Sequence, residues 1–190
     1  MKPSHELLAN IAYRLDTISL GHKAFVHALG WKNPPAMQLY FEGKLKFEGR
    51  ATGFTNGAIE SAVIHSRALL EFLGVTCKRG TNDKLTPRTN SYIGSAYVEH
   101  FQPLKMMSVD RVVQAYPGDS VEAEAAIAFL MHAANKTLAH ITTEEWRHPE
   151  GYRLLEIGMR GVPELVVNNF YLPLGIQPPD YEVPWRTEST

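Results

Sequence analysis

Apolar residues recur every three or four positions in several long stretches of this chain, a spacing that places them on one face of an α-helix. The longest stretch runs over 119–142, where Asp119 or Ser120 can cap the first turn. Its apolar positions cover much of the helix circumference, and they include Ile127, Met131, Ala134, Leu138 and Ile141. The pattern predicts a long helix at 119–142 that is buried by neighbours on several sides.

Other long stretches predict further amphipathic helices. One follows Ser4, a suitable N-cap, and ends at Gly30. Another covers 56–73 and ends at Gly74, a residue type favoured just after a helix. Because two flanks of the 56–73 helix are largely apolar, we expect it to lie beside the 119–142 helix. A short helix after Ser108 and a last helix over 152–170 complete the pattern.

Residues 37–47 fit two different structures. Met37, Phe41 and Leu45 share one face of a helix, whereas the apolar pairs on either side of Glu42-Gly43 fit a β-hairpin. An isolated pair of short strands is only marginally stable, so the short helix is the favoured interpretation.

Two segments lack helical periodicity. Residues 74–90 are rich in glycine, asparagine and basic side chains, which predicts a long exposed loop, with solvation favoured over a phosphate or RNA contact. From Leu172 onward, prolines prevent regular helix. The patterns therefore predict an all-α, single-domain helical bundle over 1–171, followed by an extended, Pro-rich C-terminal tail over 172–190.

Composition narrows the function classes. The 190 residues are 44% hydrophobic and 21% charged, with a net charge of −1, so the chain lacks the positive field of a non-specific nucleic-acid binder. Cys77 is the one cysteine, which excludes an intramolecular disulfide and a cysteine-based zinc site. Neither a signal peptide nor a membrane-spanning stretch is expected, and the predicted location is the cytoplasm.

Candidate chemistry rests on histidines, because the common phosphate-binding, dinucleotide, metalloprotease and serine-hydrolase motifs are absent from the sequence. His132, Lys136 and His140 follow one another at steps of four, which places them on one ridge of the predicted helix. A metal site would recruit His65 from a facing helix, but the sequence has no Glu-x-x-His pair to support it. We therefore predict neither a metal nor a cofactor.

Two segments carry a family resemblance. His65–Gly74, reading HSRALLEFLG, and Asn135–Thr142, reading NKTLAHIT, resemble the paired helices of an uncharacterised bacterial helical family that looks like the HEPN class. HEPN proteins are small helical bundles that include RNA-cutting toxins, antiphage proteins and partners of nucleotidyltransferases. The resemblance covers 56–142, about half of the chain, and implies a helical fold and a homodimer.

The resemblance also implies site residues. In active HEPN ribonucleases, an arginine and a histidine line the cleft between two protomers. His140 matches the histidine, but Ala133 and Asn135 stand at the two positions where the arginine is expected. Neither supplies a permanent positive charge to a phosphate, although Arg67, Lys136 or the basic loop at 74–90 would be candidates to replace it.

Three functions remain open from the sequence. The leading hypothesis is a HEPN-like, non-catalytic module that binds a protein or RNA partner through residues such as His65, Arg67, His132 and Lys136. The second is a metal-independent ribonuclease that uses His140, with Asn135 beside it. The third is a small-ligand-binding or metal-binding bundle centred on His65, His132 and His140.

Overall fold

Five α-helices dominate the computed structural model, which describes residues 2–77, 84–89, 93–114, 119–138 and 150–181, and only the backbone at 136 and 137. Helices account for 62% of the described residues and strands for 12%. The helices are α1 (His5–Leu29), α2 (Thr52–Leu73), α3 (Val109–Gln114), α4 (Ser120–His132) and α5 (Gly151–Val166). The strands are β1 (Ala36–Phe41), β2 (Lys44–Arg50), β3 (Val75–Cys77) and β4 (Leu85–Pro87).

The prediction of an all-α fold is wrong, because β1–β2 and β3–β4 form two small antiparallel sheets. In the first sheet, the favoured short helix at 37–47 is replaced by a hairpin. Glu42 and Gly43 both have positive φ, 51° and 74°, as a two-residue type I′ turn requires. The base of the hairpin is tied to the body, since the Ala51 N–H donates to the Pro35 carbonyl at 2.9 Å.

The second sheet corrects the predicted exposed loop at 74–90. Val75 and Leu85 are buried, and the main-chain N–H of Leu85 donates to the Glu124 carboxylate of α4 at 3.0 Å. Both ends of the supposed loop are therefore part of the core. The centre of the segment, 78–83, lies outside the described residues.

Close packing of α1 on α2 depends on a glycine. A Cβ at Gly21 would lie 2.3 Å from the Ala62 Cβ and 2.5 Å from the Ala58 carbonyl oxygen, so only glycine allows this approach. The two helices run antiparallel, because Gly21 meets 58–62 and Arg14, earlier in α1, meets His65, later in α2.

The two helices predicted to be central do line one hydrophobic core. That core also draws on α1, α5 and the segment around Phe170. α2 packs mainly along α1, and α4 mainly along α5, while α2 and α4 also touch each other. The main core includes Leu15, Ile18, Val63, Leu70, Leu73, Leu130, Met131, Met159 and Phe170.

Helix ends agree in part with the sequence patterns. Ser4 caps α1 and Asp119 caps α4, as predicted. The predicted 119–142 helix changes at Ala133 to a π-helical turn, Ala133–Thr137, in which the Leu138 N–H donates to the Ala133 carbonyl at 3.0 Å. Residues 139–142 lie outside the described residues.

The C-terminal part continues the body beyond α5. The helix passes through Pro163 into a π-helical turn, Val167–Tyr171, and then a 3₁₀ turn, Leu172–Leu174. Tyr181 packs on the main core, so the start of the predicted tail is docked as far as the structure describes it. The domain boundary at 171 stays a prediction. None of the described helices has the length and apolar character needed to cross a membrane.

Candidate functional site

The predicted catalytic pair cannot be assembled from the described residues. His140 lies outside them, and of Lys136 only the backbone is described. Asn135 is half-buried in the π-helical turn, and His132 is half-buried at the end of α4. Roles for Asn135 and His140 in catalysis therefore stay predictions.

His65, predicted as a binding residue, belongs to a side-chain cluster between α1 and α2. Its Nδ1 lies 2.8 Å from Nη1 of Arg14, and the Tyr13 ring packs edge-on against it with 5.4 Å between centroids. Nε of Arg14 donates to Oδ1 of Asn10 at 2.8 Å. The side chains of Asn10 and His65 thus hold the Arg14 guanidinium in one orientation.

Neither of these hydrogen-bond partners carries a negative charge that would balance the positive charge of Arg14. Burial and then the nearby Arg14 charge lower the pKa of His65 below its usual 6.5, so the imidazole is neutral at pH 7. It accepts from Arg14 at Nδ1, which leaves the ring proton on Nε2. Asn10 is also neutral. By contrast, carboxylates pair with four other arginines: Arg67, Arg88, Arg153 and Arg160. The Arg14 cluster has the chemistry to hold a small anion.

Arg67 is not part of that cluster. It lies two residues from His65, hence on a different face of α2. Its Nε donates to Glu71 at 3.0 Å, and Glu71 also accepts from Arg88 at 2.7 Å. Arg88, mostly buried, stacks over Tyr97 at 5.1 Å from the ring centroid. This network joins α2 to the end of β4, so Arg67 has a structural partner rather than a place beside His65.

Metal ligands do not converge within the described part of the chain. No group of three or more histidine, cysteine, aspartate or glutamate side chains is placed there to hold an ion. Nδ1 of His65 faces the Arg14 guanidinium, whose positive charge repels a cation.

A buried polar pair was missed by the sequence patterns. Nε2 of His22 lies 3.0 Å from Oε1 of Glu156, and Nε of Arg160 lies 3.4 Å from the same oxygen. His22 is fully buried, so the pair joins α1 to α5 and does not face a ligand. The available signal was Glu156 itself, because a carboxylate inside an apolar helical stretch needs a buried partner. Nothing local identifies that partner.

A group of exposed apolar side chains lies on the β1–β2 hairpin. Tyr40, Phe41, Leu45 and Phe47 are between 44% and 57% exposed, and Phe54 at the start of α2 is 48% exposed. The register shifts by one residue in β2 between the partners of Tyr40 and Leu39, a β-bulge. Met37, Leu39, Phe41 and Phe47 therefore lie on one face and Gln38, Tyr40, Leu45 and Glu48 on the other. On the second face Gln38 donates to Glu48 at 3.1 Å and accepts from the Tyr40 hydroxyl at 2.9 Å.

Charge is distributed unequally between the two strands. β1 has the sequence AMQLYF and carries no charged side chain. β2 has the sequence KLKFEGR and carries three basic residues and one acidic residue, with Glu42 in the turn. The hairpin is therefore apolar, with a charged rim on one side.

The chain matches no protein-family model, no curated protein and no solved structure. The resemblance to HEPN proteins accordingly depends on 65–74 and 135–142 alone.

Proposed function

We propose that this protein is a non-catalytic helical module that binds a protein partner through the β1–β2 hairpin. The observation that carries the proposal is the group of roughly half-exposed aromatic and aliphatic side chains there: Tyr40, Phe41, Leu45, Phe47 and Phe54. Phe41 and Phe47 lie on one face of the hairpin and Tyr40 and Leu45 on the other, so both faces expose apolar side chains. Exposed apolar patches are typical of interaction sites. Tyrosine and phenylalanine are also enriched at the centres of protein interfaces.

The attachment of the hairpin supports this role. Among the described elements, the hairpin contacts the helical body mainly where β2 meets α2, with the Phe47 ring beside Gly53 at the start of α2. A two-stranded sheet with both faces in water gains little from burial and is marginally stable alone. A partner that packs against the hairpin would add the burial that the body of this protein does not supply.

Charge favours protein over RNA as the partner. From Glu42 to Arg50 the hairpin carries Lys44, Lys46 and Arg50 against Glu42 and Glu48. RNA backbones are held by clusters of arginine and lysine, and binding strength follows the number of phosphates neutralised. A net excess of one positive charge on this hairpin supports a protein surface better. A HEPN-like relationship is compatible with this function and stays a proposal.

Site-specific photocrosslinking tests the proposal. A benzoylphenylalanine at position 40 is compared with one at position 13, since the native tyrosines are similarly exposed, 53% and 59%. We expect polypeptide adducts at position 40 and none at position 13 when the protein is irradiated inside the cells that produce it. RNA adducts at position 40, or equal yields of adduct at the two positions, would contradict the proposal.

A second candidate function is binding of a small phosphate-bearing ligand at the Arg14–His65 cluster. A pre-oriented guanidinium with neutral neighbours is suited to an oxyanion, and the Nε2–H of His65 adds a second donor. Titration with inorganic phosphate should shift the His65 ring signals in NMR spectra, and Arg14→Gln should abolish the shift. A shift of equal size with acetate, or one retained in Arg14→Gln, would remove this candidate.

A further inference from the structure

We infer that the partner of the hairpin is a second copy of this chain, paired antiparallel along the outer edge of β1 to give a four-stranded sheet. This inference rests on the proposed function, because it names the occupant of the same surface. It concerns the open edge of β1, where side chains of the two copies become neighbours across the new strand pair.

The two edges of the hairpin differ in charge. Exposed edge strands template pairing with another chain, and proteins protect them with charged side chains, lysine above all. β2 has this protection, with Lys44, Lys46, Glu48 and Arg50 along its length. β1 has no charge and no proline in six residues, although β2 is its only strand neighbour among the described elements. Of the two edges, β1 is open to pairing.

The turn indicates which main-chain groups are available. In a hairpin with a two-residue turn, the flanking residues Phe41 and Lys44 form a hydrogen-bonded pair. The extra residue of the bulge, Lys46, belongs to β2, so hydrogen-bonded and non-hydrogen-bonded positions still alternate along β1. The alternation predicts that the N–H and C=O groups of Ala36, Gln38 and Tyr40 are directed away from β2.

The outward N–H and C=O groups of β1 can pair with the same groups of a second copy that is related by a two-fold axis. An axis normal to the sheet keeps each face on its own side, so paired residues of the two copies must have the same orientation. With the axis at Leu39, each Leu39 lies beside its counterpart, and Met37 lies beside Phe41 of the second copy. Gln38 and Tyr40 of opposite copies then form the hydrogen-bonded pairs.

This register is favoured by the side chains it joins. It places the apolar residues Met37, Leu39 and Phe41 next to one another across the new strand pair, on the face that also carries Phe47. Moving the axis to Gln38 would instead pair Gln38 with its counterpart and would place Phe41 opposite Pro35, which lies outside β1. Because β1 carries no charge, neither register brings like charges together along the paired edge.

The size of the contact sets the expected strength. Pairing of six-residue strands lies at the low end of interface sizes, below about 1,200 Å² in total. We therefore expect a weak dimer, which forms over the concentration range from about 1 μM to about 1 mM.

Sedimentation velocity of the full chain over that range tests the inference. The wild type should shift from monomer to dimer. Leu39→Lys places two like charges together at the axis and should weaken the dimer by roughly tenfold or more, as should Leu39→Glu. An equimolar mixture of the two variants should regain a dimer, which also shows that both variants fold. Leu20→Lys is the control on an exposed position of α1 and should dimerise like the wild type.

A double variant tests the register. Met37→Lys with Phe41→Glu in one chain creates complementary charges across the axis and should retain the dimer, whereas Met37→Lys with Phe41→Lys should lose it. Three results would overturn the inference: a wild type that stays monomeric at about 1 mM, a dimer that is unchanged in Leu39→Lys, or a mixture that stays monomeric. A monomeric wild type whose position 40 crosslinks to another protein would leave the proposed function intact and remove the self-pairing alone.

Discussion

His22 of α1 and Glu156 of α5 form a buried hydrogen-bonded pair, with 3.0 Å between Nε2 and Oε1. Their separation of 134 residues makes the pair a long-range connection between the first and last helices. We expect His22→Ala to reduce the free energy of unfolding by about 3 kcal/mol, because it leaves a cavity and removes a hydrogen bond to a buried carboxylate. Urea denaturation measures the loss. A change below about 1 kcal/mol would show that the pair is not stabilising.

Two glycines in the packed helices should respond to alanine with opposite signs. Gly21→Ala forces a Cβ to within 2.3 Å of Ala62, so we expect a loss of about 1–3 kcal/mol from overpacking. Gly57 of α2 has open space around its Cα, so Gly57→Ala should stabilise the protein by up to about 1 kcal/mol. Thermal or urea unfolding of both variants compares them directly. Equal effects would contradict the close approach of α1 and α2.

Two arginines that share Glu71 should differ in their contribution to stability. Arg67 is 38% exposed and pairs with Glu71 one helical turn away, so Arg67→Ala should change the free energy of unfolding by about 0.5 kcal/mol or less. Arg88 is 10% exposed and also stacks on Tyr97, so Arg88→Ala should cost about 2 kcal/mol or more. Chemical denaturation of the two variants measures both losses of unfolding free energy. A larger loss for Arg67→Ala than for Arg88→Ala would contradict the prediction.

The His65 pKa should depend on Arg14. Burial, the larger cause, and the Arg14 charge both lower it, so Arg14→Gln should raise the pKa while burial still holds it below 6.5. NMR titration of the ring measures this, and Arg67→Gln serves as the control that should leave the value unchanged. Because the folded-state pKa lies below the unfolded one, stability should fall as pH drops below about 6.5. An unchanged His65 pKa in Arg14→Gln would contradict the 2.8 Å contact.

Local patterns predicted much of the helical part. Ser4 and Asp119 were identified as caps because a capping side chain needs only the N–H groups of the next turn. Gly74 ends α2 with φ of +100°, the left-handed conformation that favours glycine. The predicted start of α2 at 56 was four residues late, since α2 begins at Thr52 with no side-chain cap at Ala51.

The strands and the site were harder to predict because they depend on distant residues. The 37–47 segment satisfies helical and strand spacing alike, and the tie between Ala51 and Pro35 at the hairpin base has no periodic signature. β3 and β4 are three residues each, and Glu124 from another part of the chain holds one end of β4. His65 was predicted as a binding residue, but its partner Arg14 lies 51 positions away on another helix. Spacing along one helix cannot reveal such a pair.

The central claim is that the β1–β2 hairpin stands exposed to solvent with its apolar side chains outward. Residue-resolved NMR relaxation by an inert soluble gadolinium complex, on dilute protein, measures this exposure most directly. We predict strong relaxation enhancement at Tyr40, Phe41 and Phe47, similar to that at Tyr13, and weak enhancement at the buried Val63 and Leu70. Enhancement at the three hairpin residues as weak as that at Val63 and Leu70 would contradict the claim.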